Sequence, residues 1–182
     1  MALMLEDQRL LRRLGAGDKG ALRRIYEKYI DDLLRVALSL LSDIQTAEDC
    51  LHDVFVDLAG AAGGLRIHSN LKSYLISCVA NRARDQLRRK TRQSTCQPKQ
   101  VCPRPISGNP AKQLIDAEGS ARVLEALVAL PHEQREVFVL HVQGELRFRE
   151  IAGLLGVSIN SAQSRYRYAI EKLRAILDEE PK

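Results

Sequence analysis

The sequence predicts an all-α protein built as two small helical domains joined by a flexible linker. Three observations carry that expectation. Apolar residues recur at three- and four-residue steps almost throughout, and no segment alternates as a strand would. Leu, Ala, Arg and Glu dominate, and each favours helix on intrinsic propensity. Four of the six prolines crowd into residues 93–113, at 98, 103, 105 and 110, with Gly108 and almost no large apolar residue. Such a stretch buries too little surface to offset the entropy of ordering it. It therefore divides the chain into residues 1–92 and 114–182, and the 182 residues suffice for two small cores.

The elements follow in order. A first short helix covers about Glu6 to Leu14 and stops at Gly15 and Gly17. Asp18 can cap the second, whose stripe is Leu22, Ile25, Tyr26, Tyr29, Leu33, Ala37 and Leu41. Thr46 followed by Asp49 resembles a capping box and opens a third helix with Cys50, Leu51, Val54, Phe55 and Leu58 on one face. Residues 59–70 read as a loop, because Gly60, Gly63 and Gly64 interrupt the stripe. Ser69 or Asn70 caps a long helix to about Arg92, with Leu71, Leu75, Val79 and Leu87 toward the core. Beyond the linker, Leu114–Leu130 is helical, and Pro131 suits the first position of the next helix, which carries Val137, Phe138, Leu140 and Val142. Gly144 ends it. Two further helices, Phe148–Leu155 and Ile159 to about Leu177, complete the chain.

Charge is distributed unevenly. The net charge is +5, but residues 36–65 hold no Lys or Arg and five acids: Asp43, Glu48, Asp49, Asp53 and Asp57. From Arg66 to Arg104 there are ten basic residues against Asp85 alone. One face for a basic protein partner and another for phosphates follows from that asymmetry. The four cysteines form no C-x-x-C pair; Cys50 and Cys78 lie on apolar helix positions, and Cys96 and Cys102 in the linker are expected to be isolated thiols. No stretch approaches the roughly 20 apolar residues that cross a bilayer, and the N-terminus is charged and amphipathic. The expectation is a soluble cytoplasmic protein without membrane insertion.

The last two helices have the pattern of a helix-turn-helix. Ile151 and Leu155 face inward, Ala152 is small where the helices cross, Gly156 relieves the turn and Val157 plugs the space beneath it. Ser158 can cap the second helix, whose inward stripe is Ala162, Tyr166, Ala169 or Ile170, and Leu173. Asn160, Gln163, Ser164 and Arg167 then point outward near the N-terminus, the end that enters a major groove. Those side chains can hydrogen-bond to base edges, whereas Arg147, Arg149 and Arg165 suit phosphates. An ordinary helical hairpin with a solvated polar face is the competing reading.

Three motifs in chain order resemble the extracytoplasmic-function (ECF) sigma factors of bacterial RNA polymerase. Ala47-Glu-Asp-Cys-Leu-His-Asp-Val-Phe-Val is similar to the polymerase-binding helix of sigma region 2. Leu71-Lys-Ser-Tyr through Ala80-Asn-Arg and Asp85 to Arg88-Arg89 is similar to its promoter-recognition helix. Leu130-Pro through Arg174 resembles region 4, including Arg135-Glu-Val, Glu150-Ile-Ala, Leu-Gly-Val and Ser164-Arg165. The absence of a long segment before or between the two domains matches this compact subgroup.

The resemblance implies a transcription-initiation factor that binds core RNA polymerase and reads two promoter elements, with an anti-sigma factor as a further plausible partner. Glu48, Asp49, His52, Asp53 and Phe55 would engage polymerase. Lys72, Arg82, Arg84, Arg88, Arg89 and Lys90 would grip the upstream promoter backbone. His68, Ser69, Asn70 and Asn81 would receive bases unstacked from the melted strand, at a cost of a few kcal/mol that phosphate contacts offset. Three positions depart from the family pattern. His52 stands for the usual Gln, the stretch Leu58-Ala-Gly-Ala-Ala-Gly-Gly lacks aromatics, and Ser161-Ala-Gln replaces Thr-Val-Lys. The alternative is a sigma-like regulator that binds DNA without polymerase. The sequence holds no nucleophile elbow, phosphate loop or metal spacing, and His132 and His141 have no ligand partner at useful spacing, so neither enzyme, cofactor nor metal is expected.

Overall fold

A computed structural model describes residues 2–61, 70–94 and 118–178. Eight helices account for nearly all of them, and no strand occurs among the described residues. They are α1 (Ala2–Gly15), α2 (Lys19–Leu41), α3 (Ile44–Ala61), α4 (Leu71–Ser94), α5 (Glu118–Val128), α6 (His132–Val142), α7 (Phe148–Leu155) and α8 (Ile159–Asp178). The all-α expectation holds. Cys96, Cys102 and most of the predicted linker lie outside the described residues.

In the N-terminal half α2 is the central helix, packed against α1, α3 and α4. Its stripe Ala21, Ile25, Tyr29, Leu33, Val36, Ala37 and Leu40 is buried, and Leu51 and Val54 from α3 and Leu75 and Val79 from α4 close on it. Asp18 caps α2, its carboxylate accepting from the Gly20 N–H at 2.8 Å. Asp7 is buried on α1, where it accepts from Lys28 Nζ at 2.7 Å and from the Tyr29 hydroxyl at 2.8 Å. Burial, then that carboxylate, pushes the Tyr29 pKa up to about 12. Cys50 is a core thiol, pushed up to about 11 by burial, and burial raises Cys78 as well.

Several boundaries shift for local reasons. Helix α3 starts at Ile44 because Asp43, not Thr46, caps it: the Asp43 carboxylate accepts from the Thr46 N–H at 2.9 Å and from the Thr46 hydroxyl. It also runs through Gly60 to Ala61, two residues past the predicted loop start. Asn70 rather than Ser69 caps α4, accepting from the Lys72 N–H at 3.0 Å. Pro131 occupies the cap position of α6, one residue before the position expected.

The C-terminal half packs α8 against α5, α6 and α7. Helix α6, like the C-terminal end of α2, is buried on more than one side. Val137 and Val139 are both fully buried, yet residues two apart lie roughly 200° apart around a helix. Both sides of α6 are therefore covered, one by α7 and α8 and the other by α2 and α4. The two halves form one continuous core through this helix.

Candidate nucleic-acid interface

Helix α7 opens with the Arg147 backbone N–H donating to Glu150 Oε2 at 2.8 Å. Gly156 closes it in the left-handed region, at φ 66° and ψ 33°, where a Cβ is disfavoured. The Val157 N–H reaches back to the Ala152 carbonyl at 3.0 Å. Ser158 then caps α8, accepting from the Ser161 N–H at 3.0 Å. Ala162, Ala169 and Leu173 are buried, and the turn is therefore the predicted helix-turn-helix. Behind it sits an aromatic cluster. The His141 ring stacks on Phe148 at 4.3 Å and meets Tyr166 edge-on at 4.9 Å, and Phe138 stacks on Tyr166 at 6.1 Å. Nδ1 of His141 lies 2.8 Å from the Leu146 carbonyl, so it donates there and ties α6 to the turn preceding α7. His141 is a packing residue of the helix-turn-helix.

Asn160, Gln163 and Arg167 are exposed and Ser164 is half-buried. Their spacing of three and four residues puts all four on one face. Arg147 and Arg149, at the start of α7, are exposed. Arg165 points elsewhere: its guanidinium meets Glu133 of α6 at 2.6 Å.

The basic residues of α4 do not form one grip. Lys72 is held between Asp32 at 2.9 Å and Glu145 at 2.7 Å. Burial works against its charge, but the two carboxylates more than offset it and hold its pKa above the ordinary lysine value. Arg82 turns toward α3 and meets Asp57 at 2.7 Å and Asp53 at 3.7 Å. Lys90 donates to the Thr46 hydroxyl at 3.2 Å. Arg84 turns the other way, to Glu136 of α6 at 2.9 Å, and Arg88 lines the same cleft. Arg89 is exposed. The expected common surface thus splits three ways, because successive basic positions on one helix point in different directions.

His68 and Ser69 lie outside the described residues, and Asn70 is engaged as the α4 cap. Asn81 lies at the mouth of a cavity of about 280 Å³ between α3 and α4, with Leu58, Tyr74, Cys78 and Arg82 in its wall. Arg84 Nη1 donates to Asn81 Oδ1 at 3.1 Å, which leaves the Asn81 NH2 to donate. Tyr74, the aromatic of the Leu71-Lys-Ser-Tyr motif, stands one turn from Cys78 in the wall of this cavity.

On α3, Asp49 and His52 are exposed and Glu48 and Asp53 are half-buried. Phe55 corrects the expectation: it is only 7 % exposed and packs on Tyr26 with ring centroids 4.9 Å apart. The outward residue is its neighbour Val56, 55 % exposed, which continues the stripe Asp49, His52, Asp53. Periodicity alone can separate Phe55 from Val56, since 49, 52, 53 and 56 share a face and 55 does not.

Fold and site together define a two-part helical DNA-binding protein with a helix-turn-helix at its C-terminal end. Residues 25–93 match the family model for sigma-70 region 2 and residues 120–173 that for sigma-70 region 4. The chain belongs to the sigma-70 family, as an ECF RNA polymerase sigma factor that directs transcription initiation. It is 28% identical over 171 residues to the ECF RNA polymerase sigma factor SigM of Mycobacterium tuberculosis, covering 94% of this chain and 84% of that one. It is 31% identical over 135 residues to the RNA polymerase sigma factor CarQ of Myxococcus xanthus, covering 73% and 75%. Among solved structures, CnrH in complex with the cytosolic domain of CnrY matches with a TM-score of 0.68 at 23% identity, over 97% of this chain and 99% of that one. The sigma factor RpoE in complex with the anti-sigma factor NepR, from Bartonella quintana, matches with 0.66 at 23% identity, over 87% and 99%. No described helix is long and apolar enough to cross a membrane.

Proposed function

We propose that this sigma factor binds core polymerase through the α3 stripe Asp49, His52, Asp53 and Val56, with Glu48 at its edge. The observation that carries this is a line of acids with an exposed valine at its end, on a helix whose opposite face is core. A basic helical partner suits such a stripe. Asn160, Gln163, Ser164 and Arg167 read base edges of a duplex promoter element, while Arg147 and Arg149 hold its phosphates. Asn81 and the cavity beside it receive a base unstacked from the melted strand, and Lys72, Arg82, Arg84, Arg88, Arg89 and Lys90 serve the adjoining backbone once released from their present partners. The functional division is residues 1–92 for polymerase and melting, 93–113 as linker, and 114–182 for duplex reading. The protein acts in the cytoplasm without catalytic chemistry of its own. Since CnrH and RpoE are each seen with a partner named in those structures, an anti-sigma protein is a further expected partner.

Co-purification with bacterial core polymerase tests the reading. Wild type should bind stoichiometrically, and an Asp49→Arg, Asp53→Arg variant should not. A wild type that ignores polymerase yet binds duplex DNA would instead make this a DNA-binding regulator.

A further inference from the structure

Tyr26 belongs to the inward stripe that the sequence predicts for α2, yet the structure leaves it 46 % exposed. Helix geometry gives the reason. Ile25 is fully buried, and the next position lies roughly 100° further round, at the edge where α2 meets α3. Leu22 and Ile30, one turn to either side of Tyr26, are half-buried along the same edge. Tyr29 makes the contrast. It is buried and donates its hydroxyl to Asp7, whereas the Tyr26 hydroxyl has no hydrogen-bond partner among the described residues.

Phe55 of α3 supports the Tyr26 ring from beneath, with centroids 4.9 Å apart and planes inclined at 58°. Tilted rings in contact attract one another beyond the area they bury. Phe55 is itself a core residue, so it offers the ring above it a rigid seat. Its chain neighbour Val56 is exposed on the outer face. Tyr26 and Val56 are the only exposed large apolar side chains on α2 and α3 among the described residues, and Phe55 joins them.

Charge alone holds a partner weakly on such a surface. Asp49, His52 and Asp53 can steer a basic helix toward α3, but an exposed ion pair strengthens a complex about fivefold or less. Most of the affinity of a protein interface comes from a few side chains, Tyr prominent among them, that fill apolar pockets inside a polar rim. A seated tyrosine with a free hydroxyl, next to a line of acids, has that form.

We propose that Tyr26 is the aromatic anchor of the polymerase-docking surface, which therefore spans α2 as well as α3, and that Phe55 is the positioning residue that seats it. The inference rests on the reading of α3 as the polymerase-binding helix. It adds a contact residue from a second helix and gives the buried Phe55 a part in docking through its neighbour.

Titration of bacterial core RNA polymerase with the full chain tests the anchor. Tyr26→Ala should weaken binding about thirtyfold. Tyr26→Phe keeps the ring and should weaken it no more than about threefold. Leu5→Ala, at a side chain 54 % exposed on α1, is the control and should bind as wild type does. Phe55→Leu separates positioning from stability: it should weaken binding about fivefold when Tyr26 is present and not at all in the Tyr26→Ala background. A merely structural loss would lower the urea midpoint and weaken binding alike in both backgrounds, which would overturn the positioning role. If Tyr26→Ala loses helicity, Tyr26→Gln replaces it, since its stem still covers Phe55, with the same outcomes. A Tyr26→Ala chain that binds as tightly as wild type, while Asp49→Arg, Asp53→Arg does not bind, would overturn the anchor and leave the reading of α3 intact. A wild type that does not bind polymerase removes that reading and the anchor with it.

Discussion

Helices α4 and α8 carry similar residue types and stand in opposite conditions. On α8 the polar set Asn160, Gln163 and Arg167 is exposed along one face and available to a duplex. On α4, Lys72, Arg82 and Arg84 are each engaged by carboxylates from other helices or the turn before α7. Side-chain chemistry along a helix says what it can bind, and its neighbours in space say whether that surface is open. The polar face of α8 is presented; the cations of α4 are held.

Five experiments bear on this contrast. The largest effect is expected from Glu136→Ala, which strips the partner from a largely buried guanidinium and should cost about 3 kcal/mol in urea unfolding. A cost near zero would mean that Arg84 finds water or another acid without the contact. On α8, Arg167→Ala should cost about 2 kcal/mol of discrimination at one base pair while leaving binding to random duplex nearly intact. Arg149→Ala should do the reverse, weakening all sequences alike and reducing the salt slope by about one unit. If both variants lose only non-specific affinity, α8 does not read bases in this register.

Smaller effects belong to the exposed pairs. Glu133→Ala removes the partner of Arg165, but Glu133 is 67% exposed, so stability should change by no more than about 0.5 kcal/mol. Because that loss frees Arg165, duplex affinity should rise slightly rather than fall. His132 gives the last test. Burial lowers its pKa below the ordinary 6.5, with Arg135 and Arg84 adding to the effect and the Glu136 and Glu133 carboxylates opposing it. The fold thus favours the neutral ring, and the unfolded chain takes up the proton first. The stability it contributes is present above the ordinary histidine value and is lost as pH falls through and below it. A melting series from about pH 8 to about pH 5 should decline less steeply in His132→Gln than in wild type.

Much of the architecture was legible without coordinates. The helix-turn-helix is encoded within some thirty residues by a small Ala152, a left-handed Gly156, a capping Ser158 and a repeating inward stripe, and each of these acts on near neighbours. The acid-only stretch marked α3 for the same reason, although the outward residue proved to be Val56 rather than Phe55. The start of α3 was misplaced because Asp43 and Thr46 are both good caps, and only backbone geometry separates them. The division of α4 was not legible at all. Arg82 and Arg84 are two residues apart, and the sequence does not say which acids lie across from each.

What the sequence by itself determined is therefore the local grammar: helices, caps, the turn, the acidic and basic segments, and the membership in the sigma family that their order expresses. The tertiary structure decided the rest. Helix α6 has Glu136, Val137 and Val139 buried on more than one side, a pattern without a single stripe, which makes sense only once α2 and α4 cover its second face. Ion pairs such as Lys72–Glu145 join residues 73 positions apart, and no periodicity reports them. Short-range spacing fixes which way a side chain points on its own helix, whereas the identity of what it meets depends on how separate helices pack.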